Sequence, residues 1–352
     1  MSAAPTIYSA PAKVAMFDHA GTLRGHGLQA DGDGGAVNIA INNKVTPRFS
    51  ALGGYMGSTI DDIMGKVSLT PFDSWALLPL LFPFKCVKTG GTTAGKLGIG
   101  DRPHDAAAAG LAAAPNTGAG QMGATKIWTP DNGLYTFVRS AITKHPNMNL
   151  SVGKPLFTGI EITALADITK GLGDDSALML PPVEPSGTGN DPDSAVPVND
   201  FLNERWTGSW AGSATGLGAG DIVLDATEGF ELMCDAKYGA VIGSKRTWHM
   251  HLLSVQFAIK GKLFGPTHTN LMGELLKRKL GSRAGASTDA AGAALTMSSS
   301  SGKTIVLASA CPIFENAGFT FGGNAMAAGE VVFVSNITYT TPGTQDTVLT
   351  FS

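Results

Sequence analysis

Seven histidines, three cysteines and 28 carboxylates are the groups with which this 352-residue chain can do chemistry, and their spacing sorts them. Asp18 closes the apolar run Val14-Ala-Met-Phe and is followed by Gly21 and Thr22. A carboxylate at the end of a strand is placed to act as a nucleophile. His249 and His251 stand two apart, so both fall on one face of a strand, half of a metal site with His268 as a third ligand. No Asp, Glu or Cys follows at ligand spacing, and the polar face of an antiparallel strand accounts better for the pair. Asp31-Gly-Asp-Gly-Gly35 matches the opening of a calcium loop but lacks the terminal bidentate Glu, and reads as a turn. Thr89-Gly-Gly-Thr-Thr-Ala-Gly-Lys96 is Gly-rich, yet Leu97 stands where a phosphate-binding loop needs a hydroxyl residue. GxSxG and HExxH motifs are absent from the sequence. Cys86, Cys234 and Cys311 form no CxxC pair, which argues against a disulfide framework or a structural zinc and fits a reducing compartment. The expectation is a chain with no catalytic residue, no cofactor and no metal.

The stretch around Asp18 resembles the opening motif of haloacid-dehalogenase-like phosphatases. In most of that family a second carboxylate two residues on is the acid; Ala20 stands there, although a phosphonate-cleaving branch tolerates alanine. The resemblance implies a Rossmann-like parallel sheet and a magnesium-binding carboxylate pair, for which Gly173-Asp174-Asp175 is wrongly spaced. The chain beyond Asp18 is Gly-rich strand and loop sequence without a regular helix and strand alternation, so a phosphatase is the third of three readings.

The elements that must position any site are strands. Only 15% of residues are charged while Gly takes 46 positions and the apolar fraction is 43%, a profile that excludes a disordered chain and disfavours a helical enzyme. The net charge of -3 leaves no basic footprint for tight nucleic-acid binding. Short runs rich in β-branched and aromatic residues read as antiparallel strands: Ala36 to Ile41, Ile63 to Leu69, Leu134 to Val138, Phe157 to Thr163, Leu252 to Ile259, Thr304 to Leu307, Gly329 to Val334 and Thr347 to Phe351. Short helices are expected at Trp75 to Leu81 and Asn270 to Leu280. The longest apolar run, Trp75 to Phe84, is about half a membrane span and holds two prolines, and the first residues lack a basic and apolar secretory pattern. Neither a membrane span nor a secretory signal is expected.

The length suits two domains. Residues 1–180 are expected to form the first β-domain, with a long Ala/Gly-rich loop at 102–123; the Pro/Gly/Ser-rich 181–220 reads as a linker; 221–352 forms the second. The halves repeat weakly in order. In the first, a strand leads to a Gly-rich segment with Phe49, Leu52, Tyr55 and Met56, a Gly57-Ser-Thr turn and the strand at Ile63. In the second, Asp221-Ile-Val-Leu leads to a segment with Phe230, Met233 and Tyr238, a Gly243-Ser-Lys turn and the strand at Leu252. Downstream, Leu150-Ser-Val-Gly parallels Phe319-Thr-Phe-Gly, and Gly159-Ile-Glu-Ile parallels Gly329-Glu-Val-Val. The fold class expected is mainly β, two tandem β-sandwich or barrel domains each with a short flanking helix.

Two stretches carry a second resemblance. Thr59-Ile-Asp-Asp-Ile-Met-Gly-Lys-Val-Ser-Leu-Thr-Pro-Phe-Asp-Ser-Trp75 runs from a strand into a short helix, and Thr136 to Leu165 holds a strand end, the polar Lys144-x-Pro-x-x-x-Leu-Ser turn and a closing strand. They resemble the major tail tube protein of long-tailed bacteriophages. The chain is about twice the length that one tube fold needs, which a duplicated tube domain accounts for. The resemblance implies a structural virion protein of the phage tail, assembled in the host cytoplasm, whose rings stack into the tube through which DNA is ejected. Its partners would be other copies of itself, as trimeric rings with pseudo-sixfold symmetry or as hexameric rings, and the tape measure, tail terminator and distal tail proteins. DNA would pass the lumen without specific binding, and no membrane is involved. Phe49, Leu52, Tyr55, Met56, Phe230, Met233 and Tyr238 are the candidate ring-interface residues; for Phe49, Leu52, Tyr55 and Met56 the alternative is that they complete each domain's own core. A tail terminator, decoration or capsid-associated protein shares the composition and is the second reading.

Overall fold

A computed structural model describes residues 12–17, 23–25, 37–71, 73–82, 86–88, 123–128, 134–165, 179–183, 204–211, 221–222, 229–242, 248–264, 293–313, 328–335 and 349–352. The described chain is mainly β. Its strands are β1 (Lys13–Phe17), β2 (Leu23–Gly25), β3 (Asn38–Phe49), β4 (Tyr55–Leu69), β5 (Cys86–Lys88), β6 (Gly123–Trp128), β7 (Leu134–Lys144), β8 (Met148–Leu150), β9 (Ile160–Leu165) and β10 (Met179–Val183). They continue with β11 (Trp206–Trp210), β12 (Asp221–Ile222), β13 (Phe230–Ile242), β14 (Trp248–Phe264), β15 (Ala293–Ser299), β16 (Thr304–Ile313), β17 (Ala328–Ser335) and β18 (Leu349–Phe351). Side chains alternate along a strand, so the period-2 runs present an apolar face to the core and a polar one outward.

The strands form two sheets. The first, eight-stranded, runs β2-β1-β6-β7-β9-β4-β3, with β10 also on β7. The second, ten-stranded, runs β12-β11-β15-β16-β17-β14-β13-β8, with β18 also on β16 and β5 on β18. Except for the parallel β5–β18 pair, every described pairing is antiparallel. With β5 and β8 set aside, both sheets have the same strand order in space and in sequence, including a short strand beside the first and an extra strand on the sixth.

Register deepens the match. Lys66 of β4 lies opposite Thr163 of β9 and bonds Glu161 one pleat along at 2.8 Å. Lys260 of β14 lies opposite Val332 of β17 and bonds Glu330 one pleat along at 3.0 Å. Both pairs are half-exposed, so neither stabilises much; their value is as a register mark. Carried across each hairpin, the mark makes Ile39, Ala40 and Ile41 of β3 the equivalents of Phe230, Glu231 and Leu232 of β13.

One continuous core takes side chains from both sheets. A 3-10 turn, Trp75–Leu77, runs into helix α1 (Leu78–Leu81), whose Pro79 lies in its first turn, where a missing N–H costs nothing. This short helix was expected to flank its domain. It is instead buried among residues of both halves: Trp75 stacks on Trp206 at 6.3 Å and meets the edge of Phe351 at 5.9 Å, and Phe82 packs on Phe157 and Phe351. Its expected counterpart at Asn270 to Leu280 lies outside the described residues, as does all of 102–122.

Three expectations are corrected. The stretch 181–220 contains β11, where Trp206, Gly208 and Trp210 are buried and pair with β15; the Gly- and Ser-rich composition concealed a period-2 core strand. The turn of the first hairpin is Ser50 to Gly54, where Gly53 adopts φ +79°, and Gly57 lies within β4 opposite Arg48. Finally, β3 corresponds in strand order to β13 and not to Asp221–Ile222, so the segment with Phe230, Met233 and Tyr238 is itself the counterpart of β3. The turn expected at Gly243 to Lys245 lies outside the described residues. No helix among those described is long and apolar enough to cross a membrane.

Candidate functional site

Among the described residues the β3–β4 hairpin carries every exposed large apolar side chain except Val152. Its turn is closed locally: the Gly53 N–H donates to the Ser50 carbonyl at 2.9 Å, and the Gly54 N–H to Ser50 Oγ at 3.1 Å. The left-handed φ at Gly53 is open to glycine at little cost. Phe49 and Tyr55 face one another across the hairpin, edge to face at 5.9 Å, and the Tyr55 hydroxyl bonds Ser58 at 2.6 Å. Phe49, Leu52, Tyr55 and Met56 are 61, 98, 64 and 72% exposed. These four residues complete no core. Burying such side chains is worth about 1.5–3 kcal/mol each, a driving force left unspent in the single chain.

The stripe continues down β3, where Ile39, Ile41 and Val45 are 39, 49 and 45% exposed. Ile39 lies opposite the fully buried Val67, so the stripe is the core face of the first sheet running out past its last strand. Among the described residues no strand pairs with the outer edge of β3. Sequence reasoning missed these three residues because alternation reports an apolar face but not what lies on it. One signal was available: Pro47 sits within β3, and proline in a strand is tolerated at a sheet edge.

The second hairpin is built differently. Phe230 is 2% exposed and packed over Gly261, where a Cβ would stand 2.0 Å from its ring. Phe230 is therefore a core residue and not a surface one, because β8 covers its edge: Leu150, Asn149 and Met148 pair with Phe230, Glu231 and Leu232. The cover is anchored at several points. Asn147 Nδ2 donates to Glu231 Oε1 at 2.6 Å, the Asn149 N–H donates to the Leu156 carbonyl at 2.7 Å, and the buried Asp73 carboxylate accepts the N–H groups of Leu156 and Phe157 at 2.9 and 3.3 Å. Gly229, at φ +63°, lets β13 begin directly against Leu150 and Ser151. Met233 is half-buried opposite Ala258.

Tyr238 is also half-buried, and its hydroxyl lies 2.6 Å from His145 Nε2. His145 Nδ1 is 2.7 Å from the Leu81 carbonyl, which only accepts, so Nδ1 carries the proton and Nε2 takes the hydrogen bond from Tyr238. Burial drives the imidazole pKa down to about 4, against a smaller upward pull from the Leu81 carbonyl. Burial, with a lesser effect of Cys234, pushes the phenol well above its ordinary range. Both groups are neutral near pH 7, and the trio clamps α1, the chain after β7 and β13 together.

Of the chemistry-bearing motifs, Asp18, Asp31 to Gly35, Thr89 to Lys96, Asp174, Asp175 and His268 lie outside the described residues. The strand before Asp18, β1, has antiparallel neighbours on both sides, where the phosphatase resemblance implies a parallel sheet. His249 and His251 hold alternate positions of β14, opposite Val241 and Gly239. Among the described residues no three His, Cys, Asp or Glu side chains converge as a metal group. Cys234 and Cys311 are buried, and burial, with the nearby Asp235 carboxylate, raises the pKa of the Cys234 thiol. No protein-family model and no curated protein matches the chain.

Proposed function

We propose that this chain is a structural subunit that polymerises into stacked rings, the tail tube of a long-tailed bacteriophage, and that it arose by duplication of one tube domain. The observation that carries this reading is the matching strand order of the two sheets once β5 and β8 are set aside, supported by the equivalent pairs Lys66–Glu161 and Lys260–Glu330. A duplicated unit has two quasi-equivalent sides, so copies joined side by side place units at twice the subunit number around an axis. Three chains then give pseudo-sixfold symmetry. The exposed tip formed by Phe49, Leu52, Tyr55 and Met56 supports stacking of ring on ring, because it gains free energy only when another surface covers it.

Carboxylate–ammonium pairing along the outward faces of β4, β9, β14 and β17 supports the conduit role. Lys66 and Lys260, each paired with a carboxylate, hold DNA phosphates more weakly than unpaired cations would, which suits a surface past which the strand moves. In this reading the chain has no catalytic site, and its partners besides its own copies are the tape measure, terminator and distal tail proteins.

Negative-stain imaging of the purified full-length protein tests the proposal. Hollow tubes or rings of three 36.1 kDa chains are expected. Six full-length chains per ring would retain the tube and reject the duplication scheme, whereas compact particles without a lumen would favour a decoration or terminator protein. Magnesium-dependent phosphatase activity lost in Asp18→Asn would replace the structural reading by an enzymatic one.

A further inference from the structure

The two hairpins occupy the same place in their sheets, and among the described residues only one has its outer edge covered. In β13, Phe230 and Leu232 are 2 and 0% exposed under the paired strand β8. The equivalent β3 residues, Ile39 and Ile41, are 39 and 49% exposed, and no described strand lies beyond them. The cover on β13 comes from the opposite half of the molecule, since β8 lies between β7 and β9 of the first sheet in sequence and yet belongs to the second sheet.

Edge protection on β3 is also uneven. Pro47 and Arg48 guard the end nearest the turn, where proline and charge discourage strand pairing, while Asn38 to Asn42 carries no charge and no proline. An unguarded edge with alternate outward N–H and C=O groups beside a half-exposed isoleucine pair is what a pairing strand needs.

The geometry points to a second copy of this chain as the missing cover: a strand of that copy adds to the β3 edge at Ile39, Ala40 and Ile41, as β8 adds to β13 at Phe230, Glu231 and Leu232. Within one molecule the first half covers the second. The same relation continued between molecules makes the second half of a neighbour cover the first half of this chain. The contact is head-to-tail, with different surfaces on its two sides, and such contacts close into rings or run on as filaments. This deepens the ring reading above by naming the surface that joins subunits.

The test uses the full-length chain. A photo-crosslinking benzoylphenylalanine at position 41 should join two copies, with the crosslinked peptide of the partner lying in 204–352. Crosslinks confined to one chain, or joining β3 of one copy to β3 of another, would overturn the inference. Independently, the double variant Ile39→Lys, Ile41→Lys should raise the concentration at which half of the chains are assembled by about tenfold or more. Its dissociated form should keep the circular dichroism spectrum of the parent. Unchanged assembly would overturn the inference; if the variant fails to fold, the crosslink decides. Tubes that form while position 41 stays uncrosslinked would leave the ring reading standing without this surface. Head-to-tail oligomers joined at position 41 but never closing into tubes would do the reverse.

Discussion

Strands β3 and β13 have equivalent neighbours in sequence, an equivalent hairpin partner in space and the same register against an equivalent ion pair, yet Ile39 and Ile41 of the one are exposed where Phe230 and Leu232 of the other are buried. The difference lies in the fourth party. Phe230 pairs with Gly261, a large residue opposite none, and β8 closes over it; Ile39 pairs with Val67, two medium residues with nothing described beyond them. Equal topology thus leaves room for unequal burial, because pairing fixes only one edge of a terminal strand and the other is settled by whichever segment arrives.

The sharpest way to break this comparison is Phe230→Ala. Removing a fully buried ring over a glycine leaves a void that backbone cannot refill, and a loss of about 3–5 kcal/mol is expected by denaturant titration. A loss under about 1 kcal/mol would mean that β8 does not seal β13. Next comes Gly229→Ala: a Cβ there would stand 2.5 Å from the Leu150 carbonyl and 2.8 Å from Ser151 Cα, at φ +63°. Backbone must give way, so a cost of about 2–4 kcal/mol is expected, with faster amide exchange in Met148 to Leu150 as the local readout. Equal exchange in variant and parent would dissociate Gly229 from the cover.

Acid sharpens the comparison by loosening the clamp beside β13. His145 has a folded pKa of about 4 against an ordinary 6.5, so between these values the unfolded chain binds a proton that the folded chain refuses. Stability is full above about pH 6.5, falls as the pH drops toward 4 and levels below it, with about 2 kcal/mol lost between pH 7 and pH 5 from this group. His145→Phe should start lower, since it strands the Leu81 carbonyl and the Tyr238 hydroxyl, but should lack that part of the slope. Parallel pH profiles for variant and parent would remove His145 from the account. Smallest is Ile39→Ala, the partner experiment to Phe230→Ala. In the dissociated chain it should cost about 1 kcal/mol or less, because much of the side chain is already in water. A cost near that of Phe230→Ala would show β3 to be covered within its own chain.

Alternation at Ile39 and Ile41, at Val67 and Leu69, and at Val331 and Phe333 made the strands and their apolar faces legible, since a period of two is a local property of the backbone. So was the helical turn at Trp75. Trp206 and Trp210 are hidden in a stretch with the composition of a linker, and Gly57 mimics the turn that Gly53 makes, because glycine content does not distinguish a bend from a strand irregularity. Interface residues were grouped by type, so Phe230 was placed with Phe49. The sequence by itself determined which residues dislike water. Whether β8 would reach β13, and no described strand reach β3, was decided only in three dimensions, because cover for an edge comes from chain distant in sequence, and nothing in the local run of Ile39 or Phe230 records its arrival.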